Sequence, residues 1–244
     1  MKQLRILITG ARRNLGAKLR HRLTTRYELI LTSHHSGGNR KIKAADLRVW
    51  DPAWVSPFGR VDVVVHLAAN SNHRASWPDL IAPNIDMVLN VYQAAVVNHV
   101  SRVIFASSNH VLSGYRERAT PTLGSGTPPW PGNAYGATKL AGERIRKHFS
   151  ERHRLSSINV RIGWNCRRNN RPGPDLDDCA RWMWLSDSDY CHLMECCILA
   201  PPSVKRAIIN GVSNNAGSPW DLIEAQALVG YRPQDDAYEV CWRE

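Results

Sequence analysis

Residues 6–16 read ILITGARRNLG. An apolar run stops at Gly10, a short turn follows, and leucines then recur at Leu15, Leu19 and Leu23, a helical spacing of four. Strand, glycine turn and helix in that order form a dinucleotide-binding unit. Gly10 permits the tight turn, and Gly16 lets the helix pack close to the sheet. The middle glycine of such a loop lets the backbone approach a pyrophosphate. Here that position is Arg13, with Arg12 beside it. A side chain there obstructs the approach unless it points outward, while helix N-terminal amides and positive charge still favour phosphate.

The pattern continues outward from this unit. Leu4–Thr9 has the length and type of a buried parallel strand, and Leu15–Arg26 is the helix after it. Leu29–Thr32, Val61–Leu67, Val103–Ala106 and Ile158–Ile162 read as further strands, and Leu89–Val100 and Tyr135–Phe149 as helices. Strands alternate with helices, and no Asn-Gly turn joins two strands. This predicts an α/β fold with a doubly wound parallel sheet, one domain over residues 1–244. Such sheets bind ligands beyond the carboxyl ends of their strands, so the residues after Thr9, Thr32, Leu67, Ala106 and Ile162 matter most. The stretches 113–134 and 164–178, rich in Gly, Pro and polar residues, read as long functional loops.

Composition excludes several classes. The chain has 244 residues, 32 Lys and Arg against 21 Asp and Glu, and a net charge of +11. The charge is scattered as single residues and no basic run reaches five, so nucleic acid is not an expected partner. A solvated basic surface with a site for small anions fits better. No run of about 18 apolar residues appears, so no membrane span is expected. The opening MKQLRILITG enters a strand directly, without the regions of a signal peptide, which points to the cytoplasm. The cysteines (166, 179, 191, 196, 197 and 241) lack metal-ligand spacing and read as reduced thiols, with no metal site.

After the strand VIFA comes SSNH, Ser107–His110, and after the Gly/Pro-rich loop comes YGATK, Tyr135 to Lys139. Tyr and Lys four apart lie on one helix face. An ammonium stabilises a nearby phenolate, and a phenolate can serve as base near neutral pH. A serine hydroxyl at a neighbouring strand end can bond the same substrate oxygen. Ser108, Tyr135 and Lys139 together suit proton transfer to or from an alcohol while hydride moves to a nicotinamide.

These residues carry a resemblance. ILITGARRNLG, AADL, VVVHLAA, VIFASSNH, YGATKLAGE and NVRIG resemble the extended short-chain dehydrogenase/reductase family, also called NAD-dependent epimerase/dehydratases, over nearly the whole chain. Within it, FASSNH, NVRIG, ARWMWLSDSDY and GYRPQD are most similar to the uronate dehydrogenases, which oxidise a sugar acid at its anomeric carbon. The resemblance implies an NAD(P)-dependent oxidoreductase acting on a small, carbohydrate-like, anionic substrate, and a homodimer pairing the helices near Leu89–Val100 and Tyr135–Phe149. It implies Ser108, Tyr135 and Lys139 as the catalytic set, with Ser71, Asn109 and His110 as polar substrate contacts. Arg181 matches the arginine expected on the substrate carboxylate. A small C-terminal substrate-binding part is expected at about 164–200 and 212–244. Trp164 follows RIG where the family has a small polar residue, which implies a reshaped substrate pocket. The chain also ends at Glu244, earlier than its relatives. A sugar-nucleotide epimerase or dehydratase, a carbonyl reductase and a non-catalytic NADP sensor are the alternatives on the same fold. An intact triad speaks against the sensor.

The expected dinucleotide contacts are Gly10, Arg12, Arg13, Asn14, Leu15, Gly16, Ser33, His34, Asp46, Leu47, Leu67, Ala68, Ala69 and Ile162, together with Tyr135 and Lys139. Asp46, in AADL, resembles the family's adenine-side acid. The second strand ends in TSHH rather than in a carboxylate that would repel a 2′-phosphate. Arg12 and Arg13 lie across the turn from it. NADP is therefore favoured over NAD.

Overall fold

The computed structural model describes residues 3–116, 122–167, 169–173 and 175–241. Its first five elements are β1 (Arg5–Thr9), α1 (Asn14–Leu23), β2 (Glu28–Ser33), β3 (Ile42–Ala44) and α2 (Pro52–Val55). There follow β4 (Val63–His66), α3 (Trp77–Ile81), α4 (Met87–Val97), β5 (Arg102–Ser108), α5 (Ala134–Arg152) and β6 (Ser156–Ile162). The chain continues through α6 (Asp178–Trp182), α7 (Asp187–Leu199), β7 (Arg206–Gly211), α8 (Ile223–Val229) and α9 (Ala237–Cys241).

Among the described residues the seven strands form one sheet in the order β3-β2-β1-β4-β5-β6-β7, every pair parallel. The expected doubly wound sheet is what the chain forms. Strand residues alternate between two cores. Ile6, Ile8, Val65, Ile104 and Val160 pack with Leu19 and Leu23 of α1 and Leu193 and Met194 of α7 on one face. Leu7, Val64, Val103 and Phe105 pack with Val88, Val91 and Tyr92 of α4 and Phe149 of α5 on the other. Both faces are covered, which is why the strands read as near-continuous apolar runs.

The chain builds outward from β1 to β3, then returns to β4 on the other side of β1. That reversal opens a crevice at the carboxyl ends of β1 and β4, where such folds take ligands. A hydroxyl closes its floor. Thr9 Oγ1 accepts from the backbone N–H groups of Leu67 and Ala68 at 3.2 and 3.1 Å, and donates to His66 Nδ1 at 2.7 Å.

Between α3 and α4 the residues Ala82–Asp86 form a π turn, so that Trp77–Val97 is one helical run. By length and composition alone it is long and apolar enough to cross a membrane, although polar residues interrupt it. Here its inner face, including Leu80, Val88 and Val91, is buried in the protein. The stretch 113–134 begins in a 3-10 turn, Asn109–Tyr115, and includes a bridge from Leu123 to Trp220; residues 117–121 lie outside the described ones.

Candidate active site

One cleft of about 770 Å³ runs along the carboxyl ends of the strands. Its wall holds Gly10, Arg13, Asn14, Leu15 and Gly16 from the first turn, Ser33 at the end of β2 and His34 after it, and Asp46 and Leu47. Leu67, Ala68, Ala69 and Ser71 after β4, Ser108, Tyr135, Lys139 and Ile162 complete the expected set found there.

The first turn forms a cradle. Gly10 has φ +69°, and a Cβ there would lie 2.9 Å from Ala68 N. A Cβ on Gly16 would lie 2.3 Å from Gly10 O, so α1 meets the turn through bare backbone. The helix has no side-chain cap and no acid in its first turn, which leaves its N-terminal amides free for an anion. These features fit a dinucleotide's pyrophosphate despite Arg13.

The arginines divide. Arg13 lines the cleft, whereas Arg12 is exposed and lies on the loop after β2, where a Cβ on Gly37 would come within 2.7 Å of its Cδ. Asp46 is gripped through both oxygens by Arg48, Nε at 2.8 Å and Nη2 at 2.7 Å. That pair holds the Asp46 carboxyl down to about 2.

The chemical end is drier. Ser108 is 5% exposed, Tyr135 9% and Lys139 3%. Lys139 Nζ donates to Ala106 O at 2.9 Å, 5.7 Å from the centre of the Tyr135 ring. Burial lowers its pKa to about 8. Burial also raises the Tyr135 phenol to about 12, opposed by the neighbouring Ser108 hydroxyl. Ser108 Oγ donates to Asn109 Oδ1 at 3.0 Å and accepts from His110 N at 3.2 Å.

Four expected substrate contacts lie off the cleft wall. Asn109 is buried against the sulfur of Met183. His110 stands one ring behind, against Tyr135. Trp164 is held in a backbone bridge with Trp184, so the indole that the sequence placed in the pocket is not part of this wall. Arg181 sits over the Tyr238 ring at 5.1 Å and donates from Nε to Leu176 O at 3.0 Å.

The cleft adds residues that sequence reasoning missed: Arg48, Asn70, Asn72, His73, Asn165 and Arg167. The run NSNHR directly after an apolar strand was the available signal for three of them. Asn70 is placed by Asn84 of the π turn, whose carboxamide takes Asn70 N at 2.8 Å and donates to Asn70 O and Thr138 Oγ1, both at 3.0 Å. No described residue of the second C-terminal segment, 212–244, enters the wall.

A phenol, an ammonium and a serine beside a dinucleotide cradle suit proton and hydride exchange with an alcohol, which is the work of short-chain dehydrogenase/reductases. Residues 6–173 match the NAD dependent epimerase/dehydratase family, and the chain belongs to it. It is 31% identical to the L-arabinose 1-dehydrogenase (NAD(P)(+)) of Haloferax volcanii, over 97% of this chain and 98% of that one. It is 32% identical to the uronate dehydrogenase of Pseudomonas putida, over 96% and 85%. A mutant of the uronate dehydrogenase from Agrobacterium tumefaciens, solved with NAD, superposes with a TM-score of 0.82 at 27% identity, over 98% of this chain and 87% of that one. The chain is an NAD(P)-dependent oxidoreductase, and its expected likeness to uronate dehydrogenases holds.

Proposed function

We propose that the protein oxidises a small free sugar acid, a hexuronate, at its anomeric hydroxyl, and that it takes NADP in preference to NAD. One observation carries the reading: the dinucleotide cradle and Ser108, Tyr135 and Lys139 line the same cleft, with Arg13 and Arg167 beside them. The relatives named for arabinose and uronate support a sugar without a nucleotide.

Bound in the cradle, the dinucleotide supplies the hydride acceptor. Tyr135 takes the hydroxyl proton, Ser108 orients the reacting oxygen, and the Lys139 charge favours the phenolate. Ser71 is a polar contact for the sugar on the cleft wall, with Asn109 and His110 just behind it, and segment 164–200 supplies its side of the wall through Asn165 and Arg167. The protonated phenol at about 12 also favours the reverse reaction, carbonyl reduction. For the cofactor, Ser33 and His34 present no carboxylate, and Arg12 lies across the loop after β2. A cytoplasmic homodimer completes the reading.

The test is turnover of hexuronates and the matching neutral sugars with each cofactor. Arg12→Ala is expected to weaken NADP by about 1.5–3 kcal/mol and to leave NAD unchanged. Tighter binding of NAD than NADP by the unaltered protein defeats that choice. For the carboxylate, Arg181→Ala and Arg167→Ala are compared. The arginine that holds it raises KM for the acid about ten- to a hundredfold and leaves the neutral sugar nearly unaffected.

A further inference from the structure

We infer that Asn133, the residue that caps the catalytic helix, also fixes the tautomer of His110, so that its ring keeps its proton on Nε2. The inference rests on hydrogen-bond directions. Asn133 Oδ1 accepts from Gly136 N at 2.8 Å, the N-cap bond of α5. A backbone N–H can only donate, so this end of the carboxamide is the oxygen. The other end is then Nδ2, which can only donate, and it lies 2.8 Å from His110 Nδ1. Nδ1 must therefore offer a lone pair, and the proton of the neutral ring is on Nε2. Turning the carboxamide over would set its NH₂ against the Gly136 N–H, donor to donor. The helix backbone thus decides the orientation of the amide, and the amide decides the ring.

The contact has little freedom to shift. A Cβ on Gly136 would lie 2.3 Å from His110 O, so α5 and the His110 backbone are already in close approach. The ring is wedged between two cleft-lining side chains, stacked on His73 at 5.5 Å and edge-on to Tyr135 at 5.4 Å. The titratable groups around it are His73 after β4, Arg116 after the 3-10 turn and Tyr135 of α5. Burial first, then the His73 and Arg116 charges, pull its pKa down to about 4. The ring stays neutral at working pH.

Two properties follow for the site. His110 offers Nε2–H as a standing donor, suited to a substrate oxygen with free lone pairs. Its one basic nitrogen is occupied, so it does not compete with Tyr135 for the substrate proton. His110 is a positioning partner whose state is set from the helix cap, and the substrate role rests on the proposed sugar at the Tyr135 end of the cleft.

The experiment is nitrogen-15 NMR of the histidine rings in the ligand-free protein, with His110→Gln identifying the His110 signals. The expected spectrum has Nε2 protonated and Nδ1 bare, unchanged between neutral and mildly acidic pH. Asn133→Asp keeps the cap, because aspartate caps as well as asparagine, but presents an acceptor to Nδ1. It should move the proton to Nδ1, raise the ring's pKa and add an acidic limb to the pH profile. KM for the sugar should rise by up to about tenfold, the scale of one lost hydrogen bond. Asn133→Ser, which retains the cap alone, should match the aspartate variant in thermal stability and give a mixture of tautomers. A wild-type ring protonated on Nδ1, or an aspartate variant with an unchanged tautomer, overturns the inference. A tautomer that switches while sugar kinetics stay unchanged upholds it and overturns the proposed substrate contact.

Discussion

Burial acts on Tyr135 and Lys139 with opposite sign, because each group resists the form that carries charge. It raises the phenol to about 12 and lowers the ammonium to about 8. In the ligand-free protein the phenol therefore keeps its proton, and the ammonium is the group that titrates near working pH. In the proposed reaction, oxidation needs phenolate and ammonium together. Its kcat/KM should rise with pH as the phenolate fraction grows and level off once Lys139 begins to lose its own proton, near about 8. A profile that keeps climbing well above that pH would remove Lys139 from the acid–base set. Tyr135→Phe deletes only the phenolic oxygen. Cofactor titration should be unchanged and turnover should drop by about 10²–10⁴-fold. Substantial residual turnover would mean that another group moves the proton.

At the scale of elements, α5 is set against the sheet by one buried carboxylate. Glu143 Oε1 accepts from Ser107 Oγ at 2.7 Å and from Arg161 Nε at 2.9 Å, while Oε2 accepts from Arg161 Nη2 at 3.0 Å. Glu143 is one turn beyond Lys139, Ser107 precedes Ser108, and the pair is 1% and 2% exposed. Strand and helix are thus registered behind the site. Glu143→Gln strands a buried guanidinium and should cost about 3–5 kcal/mol in denaturant unfolding, and Glu143→Leu combined with Arg161→Met should recover part of it. Equal losses for the single and double changes would mean that packing, not charge, is at stake. The same elements show what the sequence could convey. β1, its turn, α1 and the Tyr135–Lys139 face were legible because glycine placement and apolar spacing are local. β3, only IKA, and β7, RAIING, are too short or too polar at their ends to announce themselves. The π turn was hidden because the apolar pattern runs through it. Arg181 stood out in the sequence as a candidate carboxylate ligand, while its place over Tyr238 is set only by the fold. Asn165 and Arg167 reach the cleft from a loop whose course depends on partners distant in sequence.

On the scale of the whole molecule, Trp77, Ile81, Leu89 and Val97 are 42–50% exposed and recur at spacings of four and eight along one helical run. That leaves an apolar stripe on its outer face. Light scattering at micromolar protein should give twice the mass of one chain, and Leu89→Glu should halve it; a single-chain mass for the unaltered protein counts against the dimer. Acid stability follows from His66. Burial holds its ring neutral, pulling the pKa down from 6.5 to about 3. The unfolded chain binds that proton first, so stability is full above 6.5 and is lost as pH falls towards the folded value, by up to about 1.4 kcal/mol per pH unit. Denaturant midpoints across that range should flatten in His66→Gln. Finally, Lys18 of α1 reaches across to the far loop, donating to Asn165 Oδ1 at 2.8 Å, Cys166 O at 2.7 Å and Asp187 Oδ1 at 2.7 Å. The helix that opens with the dinucleotide cradle is thereby tethered to the loop that walls the sugar. The tether predicts that the two reactants do not bind independently. Because linkage is reciprocal, each should sharpen the other's affinity by the same factor, and Lys18→Met should shrink that factor towards one in paired titrations.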